Sequence, residues 1–137
     1  MSEKLAFELV SPAELVVSEE VDMVVFPGRV GDMGVLPGHA PVISVLRPGT
    51  ICMFEGKTVS KRLFVAGGFA EVTGARCTVL AEDAVSLEDV SAEDVEQEVG
   101  DYRDDGAAAT EEAEKVEAEK KLEVALAKLD AITNPPY

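Results

Sequence analysis

Up to residue 86 the chain is written in short apolar runs cut by turn residues. In KLAFELV the apolar Leu5, Phe7 and Leu9 occupy every second position. That is the period of a strand with one buried face. SPAE breaks the run, and the β-branched LVVSEEVDMVVF predicts one or two further strands. FPGRVGDMGVLPGHAP, with four glycines and three prolines, reads as a loop. PVISVL follows as a strand and RPG as a turn; TICMFE and TVSKRLFVA flank GK as a hairpin. FAEV and RCTVLAE, punctuated by GG and TGA, complete the set. About nine strands at this spacing predict an antiparallel β-sandwich or flattened barrel.

Near residue 87 the period changes from 2 to 3.6. Val95, Val99 and Tyr102 fall on one helical stripe, with Ser91 as N-cap, Asp94 completing a weak capping box and Val90 and Val95 spaced as a hydrophobic staple. Gly106 is expected to end this helix or to begin the turn after it. A second helix, capped by Thr110, carries the apolar stripe Ala118, Leu122, Ala125, Leu129 and Ile132, and NPPY stops it. Glu111–Lys115 and Glu117–Lys121 are favourably ordered i, i+4 pairs. The fold expected is mainly β with α: an antiparallel sandwich over residues 1–86, then an antiparallel two-helix hairpin over residues 87–137. The apolar faces of the hairpin are too thin to form a core of their own.

Charge sharpens the division. The formal net charge is −15; residues 87–137 carry 16 acidic and 5 basic side chains, against 11 and 7 in residues 1–86. Such acidity disfavours nucleic acid and anionic lipid headgroups as partners. No apolar run approaches the ~18 residues of a membrane span, and the N-terminal residues have no signal-peptide character. The expectation is a soluble protein with no direct lipid insertion. Cys52 and Cys77, each in an apolar strand-like run, are expected as buried free thiols rather than a disulfide or metal site.

Three places invite chemistry. Gly28, Gly31 and Gly34 are spaced GxxGxxG and lead into VLP, not into a helix N-terminus, so no dinucleotide fingerprint is present. EGKT resembles the end of a P-loop, but Ile51 stands where that motif needs glycine. His39, the only histidine, has no catalytic partner near it in sequence and reads as structural or interfacial. No catalytic, metal-binding or cofactor-binding residue emerges.

The loop itself is distinctive. GDMGVLPGHAPVISVLRPG, followed by FVAGGFAEV with Gly67, Gly68, Glu71 and Val72 and by TVLAEDAV, resembles the signature of the epsilon subunit of the rotary ATP synthase. LAEDAVSLEDV is also similar to the mitochondrial delta counterpart. The matching segments span most of residues 20–86, in the family's order. The resemblance implies a β-sandwich with a helical hairpin, acting as a non-catalytic rotor subunit. It implies a clamp between the central gamma shaft and the membrane c-ring, coupling proton flow to ATP synthesis. It further implies c-ring contact through Arg29, Val30, Gly31, Asp32 and Met33, and gamma contact through Ser11, His39 and Ser44. The place implied is the cytoplasmic face of the bacterial inner membrane, peripheral to it. The hairpin would meet the catalytic alpha/beta head only weakly or conditionally.

At one point the sequence departs from that pattern. Some relatives bind ATP through I-D-x-x-R-A at the start of the first helix. Here VSAEDV is aligned, with Ser91 for the Asp and Asp94 for the Arg. Seven acidic residues and one basic residue lie between Ser91 and Asp105. This predicts weak ATP binding or none, and a poor brake on hydrolysis. Two alternatives remain on the residues alone: a stand-alone β-sandwich binding module with a helical tail, and an enzyme built on a carboxylate pair across the sandwich.

Overall fold

The structure, a computed structural model, describes residues 3–137. Ten strands precede two helices: β1 Leu5–Val10, β2 Leu15–Val21, β3 Met23–Gly28, β4 Gly31–Val35, β5 His39–Leu46, β6 Gly49–Glu55, β7 Thr58–Val65, β8 Gly67–Gly74, β9 Arg76–Glu82 and β10 Val85–Ser86. They form one sheet in the order β10-β7-β6-β3-β5-β8-β9-β1-β2, with β4 paired to β3. The sheet curls into two layers that share an apolar core. Among the described residues pairing is antiparallel except between β1 and β9, which run parallel from Ala6↔Arg76 to Val10↔Leu80.

The core follows from strand parity. Leu5, Phe7 and Leu9 of β1 point inward together with Val24, Phe26, Ile51, Met53, Val65, Val72 and Val79. Burying each of the phenylalanines stabilises the fold by about 2 kcal/mol. Cys77 lies in this core and Cys52 beneath the opposite face of β6; both are free and buried, as expected.

The glycine-rich segment differs from expectation. It is not an irregular loop: β3 and β4 pair from Val24↔Val35 to Gly28↔Gly31, leaving Arg29 and Val30 as a two-residue turn. Gly28 is required because a Cβ there would lie 2.6 Å from the Gly31 carbonyl oxygen.

The helices are α1, Ala92–Ala108, and α2, Glu112–Thr133. Ser91 is the N-cap of α1, but its hydroxyl makes no capping bond. α1 runs through Gly106 instead of ending there. A Cβ at Gly106 would sit 3.7 Å from that of Ala118, an ordinary van der Waals contact, so the packing of the two helices does not require glycine there. α2 is preceded by Glu111, not Thr110, at its N-cap, and no side-chain cap forms, so capping chemistry does not set this boundary. α1 buries Val95 and Val99, and α2 buries Ala118, Ala125 and Ala131; Leu122, Leu129 and Ile132 are half-buried. Glu117 pairs with Lys121 at 3.5 Å, and Lys128 reaches from α2 to Glu98 of α1 at 3.3 Å. α2 lies against β6, where Thr50, Ala127 and Ala131 line one crevice, and a groove beside it is lined by Phe64, Tyr102 and Ala125.

Candidate functional site

Two surfaces stand apart from the packed core. The first is an apolar row on the outer face of the layer that the hairpin leaves bare. Register places Val45 beside Phe69, Phe69 beside Leu80, Leu80 beside Val10, and Val10 beside Leu15. Phe69, Leu80 and Leu15 are each more than half exposed, and Ile43 extends the patch at 73% exposure. The next row is polar: Glu71, Thr78 and Glu8, with Glu8 ion-paired to Arg76. A contiguous exposed apolar stripe bordered by charge is the form of a protein-binding surface.

The second surface is the β3–β4 turn. Val30 is fully exposed at its tip, and Arg29 beside it is exposed. The turn is held from behind: the Arg29 amide donates to the Val45 carbonyl at 2.9 Å, and the Arg47 guanidinium donates to the Gly28 carbonyl. Arg47 also bonds the Asp32 carboxylate at 2.6 Å. Met33 turns inward against the core, leaving Arg29, Val30, Gly31 and Asp32 on the surface.

The structure does not gather Ser11, His39 and Ser44 into one cluster. Ser11 lies in the β1–β2 turn, where it exchanges hydrogen bonds with Glu14 beside the apolar row. His39 begins β5 opposite Gly74, at the far end of the same layer. Its Nδ1 lies 2.7 Å from the Ala40 carbonyl oxygen. Ser44 alternates with Ile43 and Val45 and so has the inward parity, half-buried near Gly28. Sequence reasoning missed Ile43, Val45, Phe69 and Leu80. The available signal was apolar residues at both parities of VISVL and TVLA, more than one buried face requires.

A curled β-sandwich carrying an antiparallel helical hairpin defines the structural class. Residues 4–87 match the family described as ATP synthase, Delta/Epsilon chain, beta-sandwich domain, and residues 92–136 match the C-terminal domain of the ATP synthase epsilon chain. The protein is 50% identical to the ATP synthase epsilon chain of Rhodospirillum centenum, over 98% of its own length and 95% of that relative's. It is also 50% identical to that of Rhodospirillum rubrum, over 96% and 98%. Among solved structures it is similar to a subunit of the Euglena gracilis mitochondrial ATP synthase, with TM-score 0.82 and 24% identity over 96% of its own length and 83% of that subunit's. A subunit of the Tetrahymena thermophila mitochondrial ATP synthase central stalk and c-ring aligns with TM-score 0.68 and 17% identity, over 96% and 98%. These two likenesses concern the fold. The protein belongs to the ATP synthase epsilon chain family, whose members are non-catalytic subunits of that complex.

Proposed function

We propose that this subunit clamps the gamma shaft to the c-ring and so transmits rotation between proton flow and the catalytic head. The observation that carries this reading is the presence of two separate exposed surfaces on one continuous sheet. The apolar row through Val45, Phe69 and Leu80 suits a broad protein partner, here gamma. Ser11 borders that row, and His39 marks the other end of the layer. The Arg29–Val30 turn, with Gly31 and Asp32, suits small polar loops, here those of the c-ring. Met33 acts from inside as support for the turn. Torque requires stiffness, and the Arg47 bonds to Gly28 and Asp32 fix the turn to the sheet. No helix among the described residues is long and apolar enough to cross a membrane. Placement in this reading is by protein contact, at the cytoplasmic face of the inner membrane. Contact of the hairpin with the alpha/beta head is conditional.

Replacing Phe69 with Lys puts a charge at the centre of the apolar row without touching the core. Affinity for gamma is expected to fall at least about 10-fold, because central aromatic residues dominate such interfaces. The isolated variant should melt like the wild type. In parallel, Val30→Cys should crosslink to a cysteine placed in the polar loop of the c-ring. Undiminished gamma binding by Phe69→Lys, or crosslinks only to the catalytic subunits, would overturn the assignment. Failure to co-purify with an ATP synthase at all would favour a stand-alone binding module.

A further inference from the structure

The segment after α2 does not trail into solvent. Its residues return to the sheet and close over the outer face of β6 and β7. Arg62 of β7 donates from Nε to the main-chain oxygen of Pro136 at 3.2 Å, and from Nη2 to that of Tyr137 at 2.8 Å. The Cys52 thiol also lies against the Pro136 oxygen, at 3.7 Å. The Tyr137 ring meets Phe54 edge-on, with centroids 6.0 Å apart, and its hydroxyl donates to the Asp32 carboxylate at 3.2 Å. Beneath lies a second small apolar cluster of Val25, Cys52 and Phe54, flanked by Met23 and Val59. It is separate from the main core, and Cys52 within it is fully buried.

From this arrangement we infer that Pro136–Tyr137 is an intramolecular strap that fastens the helical hairpin to the sandwich and seals Cys52, with Asp32 of β4 as one of its catches. The geometry assigns each part. Arg62 grips main-chain oxygens, so it holds the segment whatever its side groups. Tyr137 reaches β4, and Asp32 sits one residue beyond the exposed turn's Gly31. The strap therefore joins the end of α2 to the strand that carries that turn. A partner that takes hold of Asp32 competes with the Tyr137 hydroxyl and loosens the hairpin. This last step rests on reading the turn as a contact surface; the strap itself does not.

Cys52 is the reporter. Burial pushes its thiol up to about 11, and the core thiol of Cys77 up to about 12. The thiolate is the reactive form, so uncovering Cys52 raises its reactivity both by access and by a fall in pKa. The experiment is the rate of modification of the full-length protein by a small aromatic disulfide at pH 8, with each cysteine identified by mass spectrometry. In the wild type both thiols should react slowly. Removing Pro136 and Tyr137 should speed Cys52 at least about 10-fold, and Cys77 should not change, since only global unfolding exposes it. Tyr137→Phe and Asp32→Ala should each produce a smaller acceleration of Cys52 alone. Amide exchange in the last turns of α2 should rise in the same order. Two results would overturn the strap. One is Cys52 staying as protected without residues 136–137 as with them. The other is Cys52 and Cys77 accelerating together, which would mean that exposure comes from whole-molecule unfolding. If removal opens Cys52 but Asp32→Ala and Tyr137→Phe do not, the catch is overturned, whatever the turn is found to bind.

Discussion

At the scale of single residues, identical letters have opposite roles. Gly68 has φ +135°, and a Cβ built there would overlap the Leu80 carbonyl oxygen and come within 2.9 Å of the Ala81 Cα. Both obstacles are backbone of β9 and cannot move aside. Gly68→Ala should therefore cost about 3 kcal/mol, from strain at positive φ plus overlap. Gly100 is exposed in α1, and a Cβ there would have no neighbouring atom within 4 Å. Gly100→Ala should stabilise by about 1 kcal/mol through helix propensity. Urea unfolding of the two variants measures both signs, and equal effects would refute the contrast. The helix-weakening effect of Gly100 follows from the sequence alone, since a glycine interrupts a helical stripe; the role of Gly68 could not be read there, because the strand facing it is a tertiary fact. Asp22 is a third case. Its role comes from the fold, which places it 2.8 Å from Lys4, with its carboxylate also accepting the Gly56 amide.

Elements inherit these local facts. The Asp22 corner joins β1, the β2–β3 break and the β6–β7 turn, with Lys4 bonded to Glu55 as well at 3.3 Å. The Lys4 ammonium and then the Gly56 amide hold the Asp22 carboxyl below its usual 3.8, while Lys4 is raised above 10.5, chiefly by Asp22. A lowered acid pKa contributes stability that is present above 3.8 and lost as pH falls through the folded value. A raised lysine contributes below 10.5 and loses its part as pH rises through the folded value. Asp22→Asn should thus melt below the wild type at neutral pH, and the gap should close as pH drops under 3.8. A gap that persists in acid would show that the pair does not couple the elements. Strand legibility followed parity. β1 was readable from clean alternation, whereas β6 was readable from the GK turn beside it: ICMF is apolar at both parities because both of its faces are covered, one by the core and one by the hairpin and strap. β4 was hidden because glycine and proline signal turns, although GDMGV pairs along its whole length with β3. The end of α1 was misplaced for a similar reason: glycine signals a stop, yet Gly106 lies within the last turn of a helix that continues to Ala108.

For the whole molecule, the division into a β part and an acidic helical part was legible from period and charge, and the way the parts are joined was not. The join consists of Phe64 and Thr50 under α2, and Cys52 and Phe54 under residues 136–137. A protein ending at Ser86 should still unfold cooperatively, since its core is complete without the helices. It should bind more of a hydrophobic dye than the full-length protein does, because a second apolar face becomes bare. A non-cooperative melt would mean that the sandwich depends on its hairpin. The same geography decides the response to nucleotide. At the start of α1 a cleft of about 400 Å³ is lined by Asp83, Asp89, Asp94 and Glu98; Lys128, beside them, is already paired to Glu98. Each carboxylate near a phosphate oxygen at about 4 Å opposes binding by roughly 1 kcal/mol in water and about 4 kcal/mol near a protein surface. A guanidinium in place of Asp94 would instead supply charge-assisted hydrogen bonds. Magnesium can bridge carboxylate and phosphate, so it must be present in the test. Calorimetry of the full-length protein with Mg-ATP should register no heat of binding at millimolar nucleotide, and Asp94→Arg should move it toward binding. Micromolar affinity in the wild type would show that the acidic cleft is not what governs nucleotide at this hairpin.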